Sequence, residues 1–149
     1  MSSGNSPRVS EALPHETWNM LEHDQSAALI DVRTQAEWGF VGVPDLEKLG
    51  RSVIFVEWAG FPGMSVNPRF AQMVLEELGE DIPARLFFIC RSGVRSLRAA
   101  EAVADALSEK GIMVDCINVA EGFEGDLDAN RHRGQLNGWK LRGLAWRQS

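Results

Sequence analysis

Apolar positions along this chain fall into two patterns. Short, nearly unbroken apolar runs occur at residues 27–32 (Ala27-Ala28-Leu29-Ile30-Asp31-Val32), 52–56, 85–89 and 112–119, the length of strands buried on both faces. Between them, apolar residues recur at helical spacing: Phe70, Met73, Val74 and Leu78 in one stretch, Ala99, Ala100, Val103, Ala104 and Leu107 in another. Punctuation supports these boundaries. Pro14 can open a short helix through about Leu21, and Asn67-Pro68 is a cap followed by a first-turn proline, so a helix is expected from there to Gly79. Gly111 ends the alanine-rich helix, and Thr34 with Glu37 three residues on is a capping box for a helical turn through Trp38. Residues 39–50 and 59–67, with their glycines and prolines, are expected as loops. Beyond Gly122 the chain is rich in glycine and charge and is expected to wrap the domain with little regular structure.

Strands alternating with helices predict an α/β fold: a doubly wound, mainly parallel central sheet with helices on both faces. In such sheets ligands bind beyond the carboxyl ends of the strands. Two charged segments fall there, Asp31-Val32-Arg33 and the loop that opens at Cys90. The length of 149 residues suits one domain, taken as residues 9–149 behind a flexible tail of residues 1–8.

Composition narrows the function classes. With 44% hydrophobic and 24% charged residues and no apolar segment near the length of a membrane span, a soluble, non-membrane protein is expected. The N-terminal residues lack the apolar core of a secretory signal, which points to the cytoplasm. A net charge of −6 and the lack of a long basic patch argue against nucleic acid. His15, His23 and His132 have no metal-ligand spacing, so neither metal nor cofactor is expected. Of the two cysteines, Cys116 alternates with Val114 and Asn118 on a strand and reads as core.

Cys90 is different. It ends the run Leu86-Phe87-Phe88-Ile89 and opens Cys90-Arg91-Ser92-Gly93-Val94-Arg95-Ser96, which leads into a helix. A strand, a short glycine-containing turn and a helix N-terminus point several backbone N–H groups into one concavity, with the positive end of the helix dipole behind it. Arg91, Arg95 and Arg98 add positive charge, and together these features favour a thiolate. The loop therefore offers a nucleophile and an anion cradle in one place.

The chain resembles the single-domain rhodanese-like sulfurtransferases in three ordered segments. Leu29-Ile30-Asp31-Val32-Arg33-Thr34 with Glu37-Trp38 is similar to the family's Asp-Val-Arg segment. The Cys90 loop is similar to its active loop, and Glu121-Gly122-Phe123-Glu124-Gly125-Asp126 through Gly138-Trp139-Lys140 to Trp146 is similar to its tail. The resemblance implies that Cys90 takes the outer sulfur of a small anionic donor such as thiosulfate, becomes a persulfide, and passes the sulfur to cyanide or to a thiol or protein-thiol acceptor. Residues Arg91, Ser92, Gly93, Val94, Arg95 and Ser96 would bind the donor, with Arg91 and Arg95 holding its oxygens. Asp31 would support the loop by orienting Arg95 or Arg33. The alternatives are a cysteine-based phosphatase or arsenate reductase and a non-catalytic sulfur-carrier or regulatory module. Only four residues separate Cys90 from Arg95, one fewer than in the phosphatase loops, and Ile89 stands where many of those enzymes have histidine; both favour sulfur. Where many family members have Gly-His-Ile after Glu-Trp, this chain has Gly39-Phe40-Val41, so Phe40 and Trp58 are candidates for specificity.

Overall fold

The computed structural model describes residues 9–149; the tail expected over residues 1–8 lies outside the described residues. Its core is a five-stranded parallel sheet. In chain order the elements that build it are β1 (Val9–Ala12), α1 (Pro14–His23), β2 (Ala27–Asp31), α2 (Gln35–Val41), β3 (Val43–Pro44), β4 (Ile54–Phe55), β5 (Ala59–Gly60), β6 (Ser65–Val66), α3 (Phe70–Leu78), β7 (Arg85–Ile89), α4 (Val94–Glu109), β8 (Asp115–Val119) and β9 (Trp146–Arg147). The sheet order is β1-β8-β7-β2-β4, with every neighbouring pair parallel. This is the doubly wound α/β architecture that the pattern predicts.

The central strands explain their own unbroken apolar runs. Along β7, Leu86 and Phe88 face one layer with α3 and α4, where they meet Phe70, Val74, Ala99, Val103 and Leu107. Phe87 and Ile89 face the other layer, with Leu21 of α1 and with Phe123 and Trp139 from the C-terminal segment. Burying each such large side chain is worth about 1.5–3 kcal/mol relative to leaving it exposed. A strand flanked on both sides thus has no position for a polar residue until its end.

Several boundaries differ from the sequence reading. Residues 9–12 form an edge strand whose polar pattern, Ser10 and Glu11 exposed, carries no periodic signal; pairing with β8 supplies it. The strand expected over 52–56 shortens to Ile54–Phe55 at the opposite edge, and β8 begins at Asp115 because the Ile112 N–H turns back to the Leu107 carbonyl. The Asn67 side chain accepts from the Arg69 N–H instead of capping a helix directly, so α3 starts at Phe70. Two segments expected as loops contain short pairings: α2 runs on to Val41 and leads into β3, which pairs with β9, and β5 pairs with β6.

Candidate active site

Cys90 lies immediately after β7, 1% exposed, at the carboxyl edge of the sheet. Three polar groups converge on its Sγ: the Gly93 N–H at 3.1 Å, the Ser96 N–H at 3.3 Å and the Ser96 hydroxyl at 3.2 Å, the last shared with Asn118 Oδ1. Donors converging on a sulfur atom stabilise negative charge on it. Gly93, with φ +110°, makes the turn into α4, a conformation that side chains disfavour, and the 16-residue helix directs its positive end at the loop.

The loop's carbonyls are held from behind by the C-terminal segment. The Phe123 N–H donates to the Cys90 carbonyl at 2.8 Å, and the N–H groups of Glu124 and Gly125 donate to the Arg91 carbonyl at 3.0 and 3.2 Å. In a trans peptide the C=O and N–H point in opposite directions. Anchoring these two carbonyls on residues 123–125 therefore turns the N–H groups of Arg91 and Ser92 the other way, and among the described residues neither N–H meets an acceptor. Gly122 permits this approach: at φ +68°, a Cβ there would sit 2.6 Å from the Cys90 and Arg91 carbonyl oxygens. The tail, expected only to wrap the domain, is thus part of the site's framework.

Asp31 and Arg33 form a fully buried pair at the end of β2, both 0% exposed, with Arg33 Nη2 at 2.7 Å from Asp31 Oδ2. Arg33 also donates to the Gly42 carbonyl at 2.8 Å and stacks over Phe123 at 4.4 Å, which ties β2 to the C-terminal segment. Arg95 has another partner, Glu37. Its guanidinium binds the carboxylate in a two-bond fork at 2.7 and 2.8 Å, with both side chains under one-fifth exposed. Of the two arginines suggested for Asp31, the structure pairs it with Arg33. Burial alone would raise the Glu37 pKa, but hydrogen bonds from Arg95 and Thr34 and the charge of Arg95 outweigh it and hold the carboxyl at about 2. The hydrogen bond to Glu37 raises the Arg95 pKa further.

Arg91 and Arg98 are exposed, and among the described residues neither guanidinium makes a hydrogen bond or ion pair. Ser92, Gly93 and Val94 line the turn, and Ser96 is buried against the sulfur. Phe40 is 85% exposed on α2. Trp58 packs edge-on against Phe70 at 5.2 Å, partly buried with the core, so most of its ring serves packing. Cys116 is buried in β8, and burial together with the charge of Asp115 pushes its thiol up to about 12, leaving it protonated.

Sequence reasoning missed three contributors. Glu37 was recognisable as a capping residue, a role it does fill through the Thr34 N–H and hydroxyl, and beside Trp38 in the Asp-Val-Arg segment, but not as the partner of Arg95. The Glu124 and Gly125 N–H groups act through backbone, which has no side-chain signature. Asn118 was visible only as an alternating strand position; its one sequence signal was being polar inside an apolar run.

No protein-family model matches the chain. Among curated proteins it is 37% identical over 131 residues to the uncharacterized protein RP600 of Rickettsia prowazekii, covering 88% of this chain and 91% of that one. A crystal structure of Rv0390 from M. tuberculosis superposes with a TM-score of 0.78 at 46% identity, covering 97% of this chain and 100% of that chain. An As-Sb reductase from Leishmania major superposes with a TM-score of 0.55 at 19% identity over 77% of this chain and 73% of that chain, a likeness of fold.

Proposed function

Since this chain belongs to the same family as RP600 of Rickettsia prowazekii and Rv0390 of M. tuberculosis, names that state no activity, we propose its function from its own site: a rhodanese-type sulfurtransferase working through a Cys90 persulfide. The observation that carries this reading is the convergence of the Gly93 N–H, the Ser96 N–H and the Ser96 hydroxyl on Cys90 Sγ inside a turn only six residues long. The Cys90 thiolate attacks the outer sulfur of thiosulfate; the S–S bond of the donor breaks, sulfite leaves with the electron pair, and Cys90 carries a terminal persulfide anion. The charge of −3 is the same on both sides. A thiol, a protein thiol or cyanide then attacks the outer persulfide sulfur and returns Cys90 to thiolate.

The residues divide this work by their contacts. Gly93 N–H and Ser96 hold the attacking sulfur. The Arg91 and Ser92 N–H groups, with the Arg91 side chain and the dipole of α4, attract the donor's anionic end. Arg95, committed to Glu37 through two nitrogens, contributes field and loop position more than a free clamp. A loop with only four residues between Cys90 and Arg95, one fewer than in the phosphatase loops, supports sulfur transfer over the phosphatase and arsenate reductase alternatives. The reading goes with a reducing cytoplasm, where a free thiolate persists. Among the described residues no helix is long and apolar enough to cross a membrane.

The test is intact-protein mass after brief thiosulfate treatment of wild type and Cys90→Ser, followed by cyanide. Gain of one sulfur atom in wild type alone, lost again with thiocyanate formed, is expected. No gain in wild type would sink the proposal.

A further inference from the structure

Asn118 lies in β8, 2% exposed, and the three hydrogen bonds of its side-chain amide go to the cysteine loop and to the neighbouring strand. Nδ2 donates to the Gly93 carbonyl at 3.1 Å and to Glu11 Oε2 of β1 at 3.1 Å, while Oδ1 accepts from the Ser96 hydroxyl at 2.6 Å. The amide's orientation follows from its partners. Gly93 O and Glu11 Oε2 are acceptors, so the nitrogen must face them; a flipped amide would set oxygen against oxygen twice.

Two consequences reach the sulfur site. Anchoring the Gly93 carbonyl on Asn118 turns the Val94 N–H, which shares that peptide plane, in the opposite direction, as the 123–125 segment does for Arg91 and Ser92. Three of the four carbonyls from 90 to 93 are then fixed from outside, Cys90 and Arg91 by backbone and Gly93 by this side chain. Second, Ser96 has a single hydroxyl hydrogen and two acceptors in reach, Asn118 Oδ1 at 2.6 Å and Cys90 Sγ at 3.2 Å. The shorter contact holds that hydrogen on Asn118 and leaves an Oγ lone pair toward a protonated thiol; when sulfur is anionic the hydrogen can rotate to it. We propose that Asn118 is a positioning residue of the site, which aims the Val94 N–H through the Gly93 carbonyl and shares the Ser96 hydroxyl with Cys90. This rests on the reading of Cys90 as a nucleophile in an anion cradle, and does not depend on which sulfur donor is used.

The test compares alkylation of Cys90 by iodoacetate, an anion, and by iodoacetamide, its neutral counterpart, in wild type, Asn118→Ala, Asn118→Leu and Ser96→Ala. General loosening of the loop changes both rates alike, whereas loss of an aimed N–H removes only the advantage of the anion. The iodoacetate-to-iodoacetamide rate ratio is expected to fall about threefold to tenfold in either Asn118 variant, the loss of one aimed, charge-assisted donor. In Ser96→Ala, which keeps the Gly93 anchor, the ratio should stay within about twofold while both rates change together. Asn118→Leu keeps the branching at Cγ without the amide and serves as the second variant if Asn118→Ala does not fold. An unchanged ratio in a folded Asn118 variant overturns the proposal. Failure of both reagents to label Cys90 in wild type would instead overturn the nucleophile reading beneath it.

Discussion

Replacing Glu37 by Gln isolates the ion pair that holds Arg95 of the cysteine loop. The substitution keeps shape and an acceptor oxygen but removes the charge that faces Arg95 across two bonds of 2.7 and 2.8 Å. The carboxyl is held at about 2 against an ordinary 4.5. A shift of about 2.5 units at about 1.36 kcal/mol each corresponds to roughly 3 kcal/mol of folding free energy. Residual exposure of 18–19% on both partners lowers this to about 2–3 kcal/mol, in line with the cost of leaving one member of a mostly buried pair alone. The sign follows from the direction of the shift. A depressed folded-state pKa stabilises above the unfolded value near 4.5, and that stability is lost as pH falls toward 2. Urea unfolding of wild type and Glu37→Gln should therefore differ by about 2–3 kcal/mol near pH 7, and the difference should shrink by more than half at about pH 3, because Gln does not titrate. A difference that is constant across this range would refute the reasoning, since it would reflect packing or the capping bonds to Thr34 and not the charge.

Three further substitutions test other parts of the framework. Asp31→Asn leaves the fully buried Arg33 guanidinium without its counter-charge and should destabilise by about 3–5 kcal/mol in denaturant unfolding; a loss under about 1 kcal/mol would mean that the Gly42 carbonyl and Phe123 suffice to hold Arg33. Gly122→Ala places a Cβ 2.6 Å from the Cys90 and Arg91 carbonyl oxygens, so it should cost about 2 kcal/mol or more and slow Cys90 alkylation; unchanged kinetics would show the 123–125 clamp to be dispensable. Cys116→Ala should cost about 1–2 kcal/mol in stability, with sulfur loading by thiosulfate unaltered, because a thiol held near 12 takes no part at neutral pH. Loss of sulfur loading in that variant, with the protein folded, would give Cys116 a chemical role.

The parts of the fold legible in the sequence are those whose cause is local. Residues 86–89 of β7 are flanked on both faces, so each of those positions had to be apolar and the boundary was visible. Residues 94–109 carry a helical stripe that ends in a glycine signal. In contrast, β1 owes its conformation to a partner strand more than 100 residues away, and Val43–Pro44 is a strand only because Trp146 and Arg147 lie beside it. Pairings that distant leave no periodicity in a two-residue or four-residue segment. The site divides in the same way. Cys90, its turn and its helix were legible because cysteine, glycine and arginines are contiguous. Glu37 reaches Arg95 across 58 residues, and Asn118 reaches Ser96 across 22, so their roles appear only once β2, β7 and β8 are side by side.

The clamp on the Cys90 loop also orders events in the life of the molecule. Residues 123–125, which hold the Cys90 and Arg91 carbonyls, are themselves held from further along: the Trp139 N–H donates to the Gly122 carbonyl, the Gly134 N–H to Glu124, and Trp146 pairs back with Pro44. A ribosome delivers the cysteine, the turn and the whole of α4 before any of these fasteners. The thiol therefore leaves the exit tunnel ahead of the contacts that fix its loop, and the nascent chain carries that loop unfastened until its last fifth has folded back. Proteolytic loss of that last fifth would release the Cys90 and Arg91 carbonyls in the same way, with the cysteine itself untouched.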